Sequence, residues 1–543
     1  MTNVVRSLVL CLAVLPWLLV PAGAAEQMKV LAKVGPWPVV DHLTAYRGKL
    51  WFSASVKGRN HNSADIWSFE PNNRTLRHER HLFSQAAGAP LMHRGLLYWP
   101  YEDGRFSLGW GMIEVTNGED WRPLLVPTAE IFHLHHLAEL KGELLAVSSA
   151  WRAGYQLSSD GGVTWRRLYD HETPPRRVSR FTVTAADGGT VYSRLRERGG
   201  SRLVYWTGGA EAVRDVAGWP QGQPVMALIS HRRAVYALTH RDRQSSIWRL
   251  KDGVARKLPA PAGAWWAMDL TSDGKRLWAV SRETGGGTVW RSADRGETWT
   301  RAATFSGGTP WSVRAFAGGI YVGGAGADGQ GILWGAAPPG ARQVRFPPPD
   351  LPRQYPSGGD GTDWQALGAE LDQVMALKEA YENHGRGKLR DLVMKALAAG
   401  APEGFLAARL GARFPGGRVK TFGGQLNARP AEVGRTMLLW AMGLAGQKGV
   451  PPELLVSPWT LPPNGPEKYF DPLLTAMWTI AVTRQRDRAT IDALIARLTR
   501  EDDPDWITSQ AIGTLTAVTG KRFAYEKAAW RTWWESARLS WKP

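Results

Sequence analysis

The sequence predicts a multidomain protein: an all-β, seven-bladed β-propeller followed by a C-terminal all-α domain. Three observations carry this reading. A strand–turn–strand pattern begins at 43, 91, 137, 182, 226, 269 and 312, in steps of 43–48 residues, the period of a four-stranded propeller blade. A third strand with a tryptophan follows in most units, as in Ile66-Trp67, Tyr205-Trp206, Ile247-Trp248, Val289-Trp290 and Leu333-Trp334. Beyond 361 the apolar residues change to i, i+3, i+4 spacing, the period of helices packed on one face.

The elements follow in chain order. Residues 1–25 read as a signal peptide: Arg6 is a lone charge, Leu8 to Val20 are apolar, and Ala22-Gly23-Ala24 offers small residues for cleavage. The only cysteine, Cys11, lies within it, so the mature chain is expected to hold no disulfide, thiolate metal site or cysteine nucleophile. No later run of eighteen apolar residues suggests a transmembrane segment. These features point to a bacterial periplasmic or secreted protein. Residues 26–347 are assigned to the propeller. Gly48, Gly95, Gly142, Gly188, Gly274 and Gly318 are expected at the first hairpin of their blades, where a tight turn needs φ > 0. Met28 to Val34 are expected to give the last blade its outer strand. Residues 348–361, rich in proline and glycine, read as a linker.

Residues 362–543 form the helical domain. Helices are expected at Trp364–Tyr381, Leu389–Ala399, Glu432–Leu444, Pro472–Val482, Ile491–Leu498, Ile507–Val518 and Ala528–Ala537. Asp471-Pro472 and Asp503-Pro504 mark two starts, with proline in the first turn.

Charge and composition narrow the function. The formal net charge is +18. Residues 360–543 hold 24 Lys/Arg against 20 Asp/Glu, or +4, and Arg6 leaves with the leader, so +13 falls on residues 25–359. A basic exported half points to anionic partners, an acidic glycan or an acidic protein surface; the compartment argues against nucleic acid. The 28 tryptophans are enough to fill repeated core positions and line a surface as well.

Ser158, Asp160, Gly162, Thr164 and Trp165 fit Ser-x-Asp-x-Gly-x-Thr-Trp, and Ser292, Asp294, Gly296, Thr298 and Trp299 fit it again. Both fall between the third and fourth strands of their units. The motif resembles the Asp-box, or BNR repeat, of sialidase-like propellers. Its residues read as structural: serine and aspartate tie a turn, glycine permits φ > 0, and tryptophan packs between sheets. Sialidase activity is not expected, because the Arg-Ile-Pro arginine of that family is missing and fold alone does not carry function. The helix pairs beginning near 431, 471 and 503 resemble HEAT-type repeats, as does the ending Leu515–Phe523 with Ala529–Trp534. Such a HEAT-like array implies a possible protein partner. In blade number and basic surface the chain also resembles lumenal photosystem-assembly propellers.

Site candidates are distributed. The loops between second and third strands contain Arg59 with His61, Arg105, Arg152, Arg194 with Arg196 and Arg198, Arg241 with Arg243, and Arg282. In a propeller these loops share a face with the inter-blade loops, which add Arg176, Arg177, Trp265, Trp266 and Trp311. The seventh loop, Gly323 to Gly331, lacks arginine. Guanidinium forks and exposed indoles suit an anionic polymer. His133 and His135 share a strand face, but no third ligand is evident, so they read as packing or channel-lining residues, with no metal and no cofactor expected. The reading that follows is a non-enzymatic binding or scaffold protein. The alternative is a glycan-active hydrolase or polysaccharide lyase, which would need converging carboxylates or a His/Tyr pair at the channel mouth.

Overall fold

The computed structural model of the chain describes residues 25–543, except 57–61, 103–109, 128–130, 151–152, 173–177, 210, 262–265, 337–346, 357, 360, 383–386, 422–425 and 458–469. Seven antiparallel sheets follow one another along the chain. Blade one runs through Val39–Tyr46, Lys49–Ser55, Ala64–Glu70 and Thr75–Leu82. Blades two to six occupy 91–126, 131–170, 180–215, 225–257 and 266–306. Blade seven takes three strands from Gly308–Phe316, Gly319–Gly326 and Gly331–Ala336 and its outer strand from Lys29–Val34, so the two ends of the propeller close the ring. Glu26–Gln27 adds a short parallel strand outside blade six, which the residue pattern did not foretell.

The six expected glycines all sit in first hairpins with φ between 60° and 84°. In four of these turns the preceding residue is left-handed too, as at Arg47-Gly48 (φ 47° and 76°). That pairing is the type I′ turn, whose twist matches two antiparallel strands. The run Gly323 to Gly331 is not one loop. Gly323 and Gly324 lie inside a strand because Val40 Cγ1 would stand 2.7 Å, and Thr309 O 2.2 Å, from a Cβ placed there.

The cores lie between neighbouring blades. Tyr155, Phe181, Leu195 and Trp206 fill the wedge between blades three and four, for example, with the first two rings stacked at 4.6 Å. The Ser-x-Asp turns tie two of these wedges. In the first, Asp160 accepts from Thr164 N (2.9 Å), Thr164 Oγ1 (2.6 Å) and Ser158 Oγ (2.8 Å), and Gly162 N donates to Ser158 Oγ (2.7 Å). Trp165 Nε1 closes the turn on Gly162 O (2.9 Å), while Tyr98 of the adjacent blade donates to Gly161 O (3.0 Å). Ser292, Asp294, Gly296 and Thr298 repeat the arrangement in blade six, and Trp299 packs into the core between blades five and six. Burial opposes the Asp294 charge, yet the Thr298 hydroxyl and amide and the Ser292 hydroxyl hold its carboxyl down at about 2.

Among the described residues eight α-helices follow: α1 Trp364–Met375, α2 Lys388–Ala398, α3 Pro430–Ala445, α4 Glu453–Val456, α5 Pro472–Thr483, α6 Arg488–Leu498, α7 Asp505–Thr519 and α8 Lys527–Ala537. The helix expected over Trp364–Tyr381 stops at Met375 and resumes as a 3₁₀ turn at Lys378–Tyr381. Asp471 caps α5, accepting from Leu473 N and Leu474 N, with Pro472 in its first turn. Asp503 does not cap α7; it pairs with the Arg497 guanidinium at 2.5 Å instead, and Pro504 precedes the helix. Helices α3, α5 and α7 stack as one layer and α4, α6 and α8 as a second. No helix among the described residues is long and apolar enough to cross a membrane.

The helical layers pack on the outer edges of blades one and two, and the core between those blades runs on into the helical core. Phe83 stacks on Trp440 at 5.5 Å, and α7 lies along the strand Thr75–Leu82. The expected linker is also attached: Gln354 exchanges bonds with Leu125 N (2.7 Å) and Leu125 O (2.8 Å) on blade two. At the centre of the joint, Asp65 accepts from Trp37 Nε1 (2.9 Å) and from the Tyr525 hydroxyl, with His81 Nδ1 at 2.7 Å and His78 Nε2 at 3.2 Å. Burial opposes the charge, but His78 and His81 beside it keep the carboxyl far below its usual range. Arg522 reaches Glu79, and Asn62 Nδ2 donates to Gln510 Oε1 at 3.0 Å.

Two predictions follow from these contacts. Tyr525→Phe removes a buried hydroxyl bonded to a carboxylate, a loss of about 1–3 kcal/mol. Urea unfolding is expected to show it, and an unchanged midpoint would mean another contact holds the joint. Asp294→Asn is expected to lower stability by about 1 kcal/mol. Because the folded carboxyl ionises more readily than the unfolded one, its contribution is present above pH 4 and fades as pH falls toward 2. Thermal melts of parent and variant should therefore converge in acid.

Candidate functional site

In blades four, five and six the second strand runs to a two-residue turn before the third, so several arginines expected in loops lie on strands. Arg196 is on Thr190–Glu197, Arg241 ends Val235–Arg241, and Arg282 is on Leu277–Glu283. Arg194 and Arg196, two positions apart on one strand, share a sheet face, and their contacts tell them apart. Arg196 is exposed beside buried Leu195, whereas Arg194 is partly buried, donating to Ser201 Oγ (3.0 Å) and Val225 O (3.1 Å). Arg198 and Arg243 occupy the turns, exposed.

Trp266 and the arginines form the densest group on this face. Trp266 opens the first strand of blade six and pairs across to Arg282, whose guanidinium lies 4.9 Å from the indole centroid. Arg243, from blade five, approaches the same ring at 5.8 Å. His240 meets it edge-on at 6.4 Å. Both guanidiniums lie within cation–π range of one indole, which restrains the two side chains. Arg180, which the sequence reading passed over, pairs across the strands with Arg196. Arg59 with His61, Arg105, Arg152, Trp265, Arg176 and Arg177 lie outside the described residues. The Ser-x-Asp turns, with Ser158, Asp160, Gly162, Trp165, Ser292, Asp294, Gly296 and Trp299, are third-to-fourth-strand hairpins and so lie on the opposite rim.

A central cavity of about 650 Å³ opens among the innermost strands. Six of these strands share a feature that the sequence does not display: a register shift near the channel, at Asp41/Thr44, Leu134/His136, Phe181/Thr184, Val225/Ala227, Ala267/Asp269 and Pro310/Ser312. A bulge puts two residues opposite one and re-aims their side chains, here into the channel. His133 and His135 stack at 5.2 Å and 9°. His135 Nε2 lies 2.8 Å from Ser149 Oγ, and His133 Nδ1 lies 2.5 Å from Glu102 O. Burial lowers the His135 pKa well below its usual value, with His133 and Arg180 adding to the effect, and burial lowers His136 to about 4. Both rings are neutral at pH 7. Among the described residues no three His, Cys, Asp or Glu side chains are spaced to hold a metal ion.

Asp269 also lines the channel. Its carboxylate accepts from Leu270 N (2.8 Å) and from Val313 N of blade seven (3.0 Å). Ser312 Oγ in turn accepts from Leu43 N of blade one (3.0 Å), so side chains staple three innermost strands in series. Arg314 donates to Thr271 Oγ1 at 3.0 Å. Burial raises Asp269 to about 7; the Val313 amide opposes the rise and the Asp41 charge adds to it.

No protein-family model matches the chain, and no curated protein matches it. Among solved structures, YCF48 from Cyanidioschyzon merolae is similar over 57% of this chain and 98% of its own, at 13% identity and a TM-score of 0.39. YCF48 bound to D1 peptide covers 58% and 96% at 13% identity and 0.40. A GH74 xyloglucanase from Xanthomonas campestris covers 55% and 52% at 15% identity and 0.38.

The channel yields a pH prediction. A carboxyl raised on folding contributes less stability as pH climbs from its unfolded value near 4 to about 7, because the unfolded state ionises first. Asp269→Asn lacks that decline. Its stability relative to the parent is expected to improve by about 1–3 kcal/mol between pH 4 and 7.5. A constant difference across that range would place the Asp269 pKa at its ordinary value.

Proposed function

We propose that this is an exported binding or scaffold protein whose arginine- and tryptophan-rich propeller face recognises an anionic ligand, an acidic glycan or an acidic protein surface. The observation that carries the reading is the Arg243–Trp266–Arg282 stack, flanked by exposed Arg196, Arg198 and Arg241. Cations ordered against an indole lose less freedom on binding than isolated surface arginines do. An indole face beside guanidinium forks suits a sugar ring or an extended acidic chain.

The rest of the reading is compatible with this. A leader at 1–25 sends the chain to the periplasm or beyond. The propeller of 26–347 and the helical domain of 362–543 are joined through 348–361. We read the two Ser-x-Asp turns as Asp-box repeats that stiffen the scaffold without touching the ligand. The stacked helix pairs read as HEAT-like repeats, and their outer layer offers a second surface to a protein partner.

The test is affinity for a panel of acidic polymers, polygalacturonate and poly-glutamate among them, at low and physiological salt. Exposed charges are screened over about 8 Å at 0.15 M, so binding is expected to weaken as salt rises. Single substitutions are expected to change little, since each exposed contact contributes about 0–1 kcal/mol. The combined Arg196→Ala, Arg241→Ala and Arg282→Ala variant is expected to lose tenfold or more. Lysine replacements would keep the field and lose the planar fork. Equal binding by the triple alanine variant and the parent, or indifference to salt, would reduce the face to solubilising surface.

A further inference from the structure

We propose that blade four has an open strand edge that takes an extended segment of a partner polypeptide as its missing outer strand. Outer strands elsewhere in the ring have 4–8 residues. In blade four the outer strand is Arg214–Asp215, two residues. The chain then leaves: Val216 N still donates to Leu203 O (3.1 Å), but Ala217 N donates to Gly253 O (2.9 Å) and Ala255 N to Ala217 O (2.7 Å), both on blade five. The third strand, Gly200–Trp206, is therefore paired on its outer side only from Leu203 onward. In an antiparallel ladder alternate residues direct both backbone groups to the same side. Leu203 faces outward, so Ser201 does too, with its N–H and C=O toward solvent.

The uncovered edge borders a groove of about 670 Å³. Val178, Leu203, Val216 and Trp219 supply its apolar lining, and Gly199 and Gly200 keep the approach to the backbone clear. Val178 is 36% exposed, one of few large apolar side chains so exposed. Trp219 packs against Trp248 at 5.4 Å, and its Nε1 is buried without a hydrogen-bond partner among the described residues. Arg202 is committed to Asp215 (2.8 Å) and Glu197 (3.4 Å). Arg198 is exposed at the rim, and no carboxylate pairs with it among the described residues.

These features select one kind of occupant. The outward N–H and C=O of Ser201 are matched by another extended backbone and by neither a helix nor a sugar, the mode of β-strand addition. About three residues, roughly 10 Å of strand, would pair. The groove calls for one apolar side chain in that segment, and Arg198 for an acidic residue beside it. The groove lies at the outer edge of blade four and the Arg243–Trp266–Arg282 cluster on blades five and six; Arg198 borders both, so the Ser201 readouts, which the acidic-polymer reading does not use, tell the two readings apart.

The first test needs no ligand. In the full chain, hydrogen–deuterium exchange of the Ser201 amide is expected within tenfold of the unstructured rate, and strong protection there would overturn the proposal. The second pans a phage-displayed library of random decapeptides on the full chain. Enriched sequences are expected to pair an apolar with an acidic residue and to slow exchange at Ser201 at least tenfold. Ser201→Pro removes the outward donor without touching the inner ladder and is expected to weaken the selected peptide tenfold or more, as is Trp219→Leu. Arg198→Glu, an exposed change that leaves the groove intact, is expected to switch selection toward basic peptides. The double variant Arg241→Ala with Arg282→Ala, on blades five and six, is expected to bind the peptide as the parent does. Failure of any peptide to enrich, or peptide binding that survives Ser201→Pro and Arg198→Glu, overturns the proposal.

Discussion

The strand Lys29–Val34, paired to Gly331–Ala336, is the contact on which the rest of the architecture depends. It joins residues about 300 positions apart and turns a row of sheets into a ring, so that blade seven gains its fourth strand and blade one acquires a neighbour. The core between them, with Val34, Trp37, Val40 and Leu333, exists only in the closed state. The same segment leads directly to Trp37, whose indole N–H donates to Asp65. Asp65 accepts the Tyr525 hydroxyl. Closure of the propeller and docking of the helices are thus coupled through one carboxylate.

Much of this was legible from residue pattern. Two-residue turns with glycine, alternating apolar strands and a tryptophan in the third strand are local features, and local features repeat visibly. The helices were legible for the same reason, to within a few residues for most of them. The bulges were not legible, because a bulge is a difference in count between two strands and cannot be read from one. Nor was the docking. Thr75–Leu82 reads Thr-Leu-Arg-His-Glu-Arg-His-Leu, the composition of a solvent-facing edge, yet His78 to Leu82 are buried. Glu79 is paired with Arg522 and Arg80 with Glu114, partners remote in sequence, so no window along the chain could signal that these charges are satisfied.

The candidate site was legible in composition more than in placement. Arginines near the second turn of each blade could be counted, but whether a given one faces solvent depends on what packs against it. Arg194 and Arg196 share a strand face and look equivalent in the sequence, yet only Arg196 is exposed, because Arg194 is tied to Ser201 Oγ and to Val225 O of the next blade. Arg180 entered through its cross-strand register, which follows from the hairpin and not from any motif. Asp269 was hidden because it borders a bulge, and Arg314 because its partner Thr271 is on another blade, both on strands that read as ordinary core.

The distance along the chain between the two sides of the helix–propeller joint has a consequence for biogenesis. Asp65 and Tyr525 are 460 residues apart, so the buried edge of blade one is synthesised long before the surface that covers it. During that interval a carboxylate meant for a dry pocket stands in water, next to Phe83 and Trp67, aromatic rings that the finished protein hides. The half-made propeller is therefore sticky along one sector of its rim and nowhere else by this cause. A cell making this protein has to hold that sector apart from other chains until the last forty residues arrive, and the completed helices then act as a built-in cover for it.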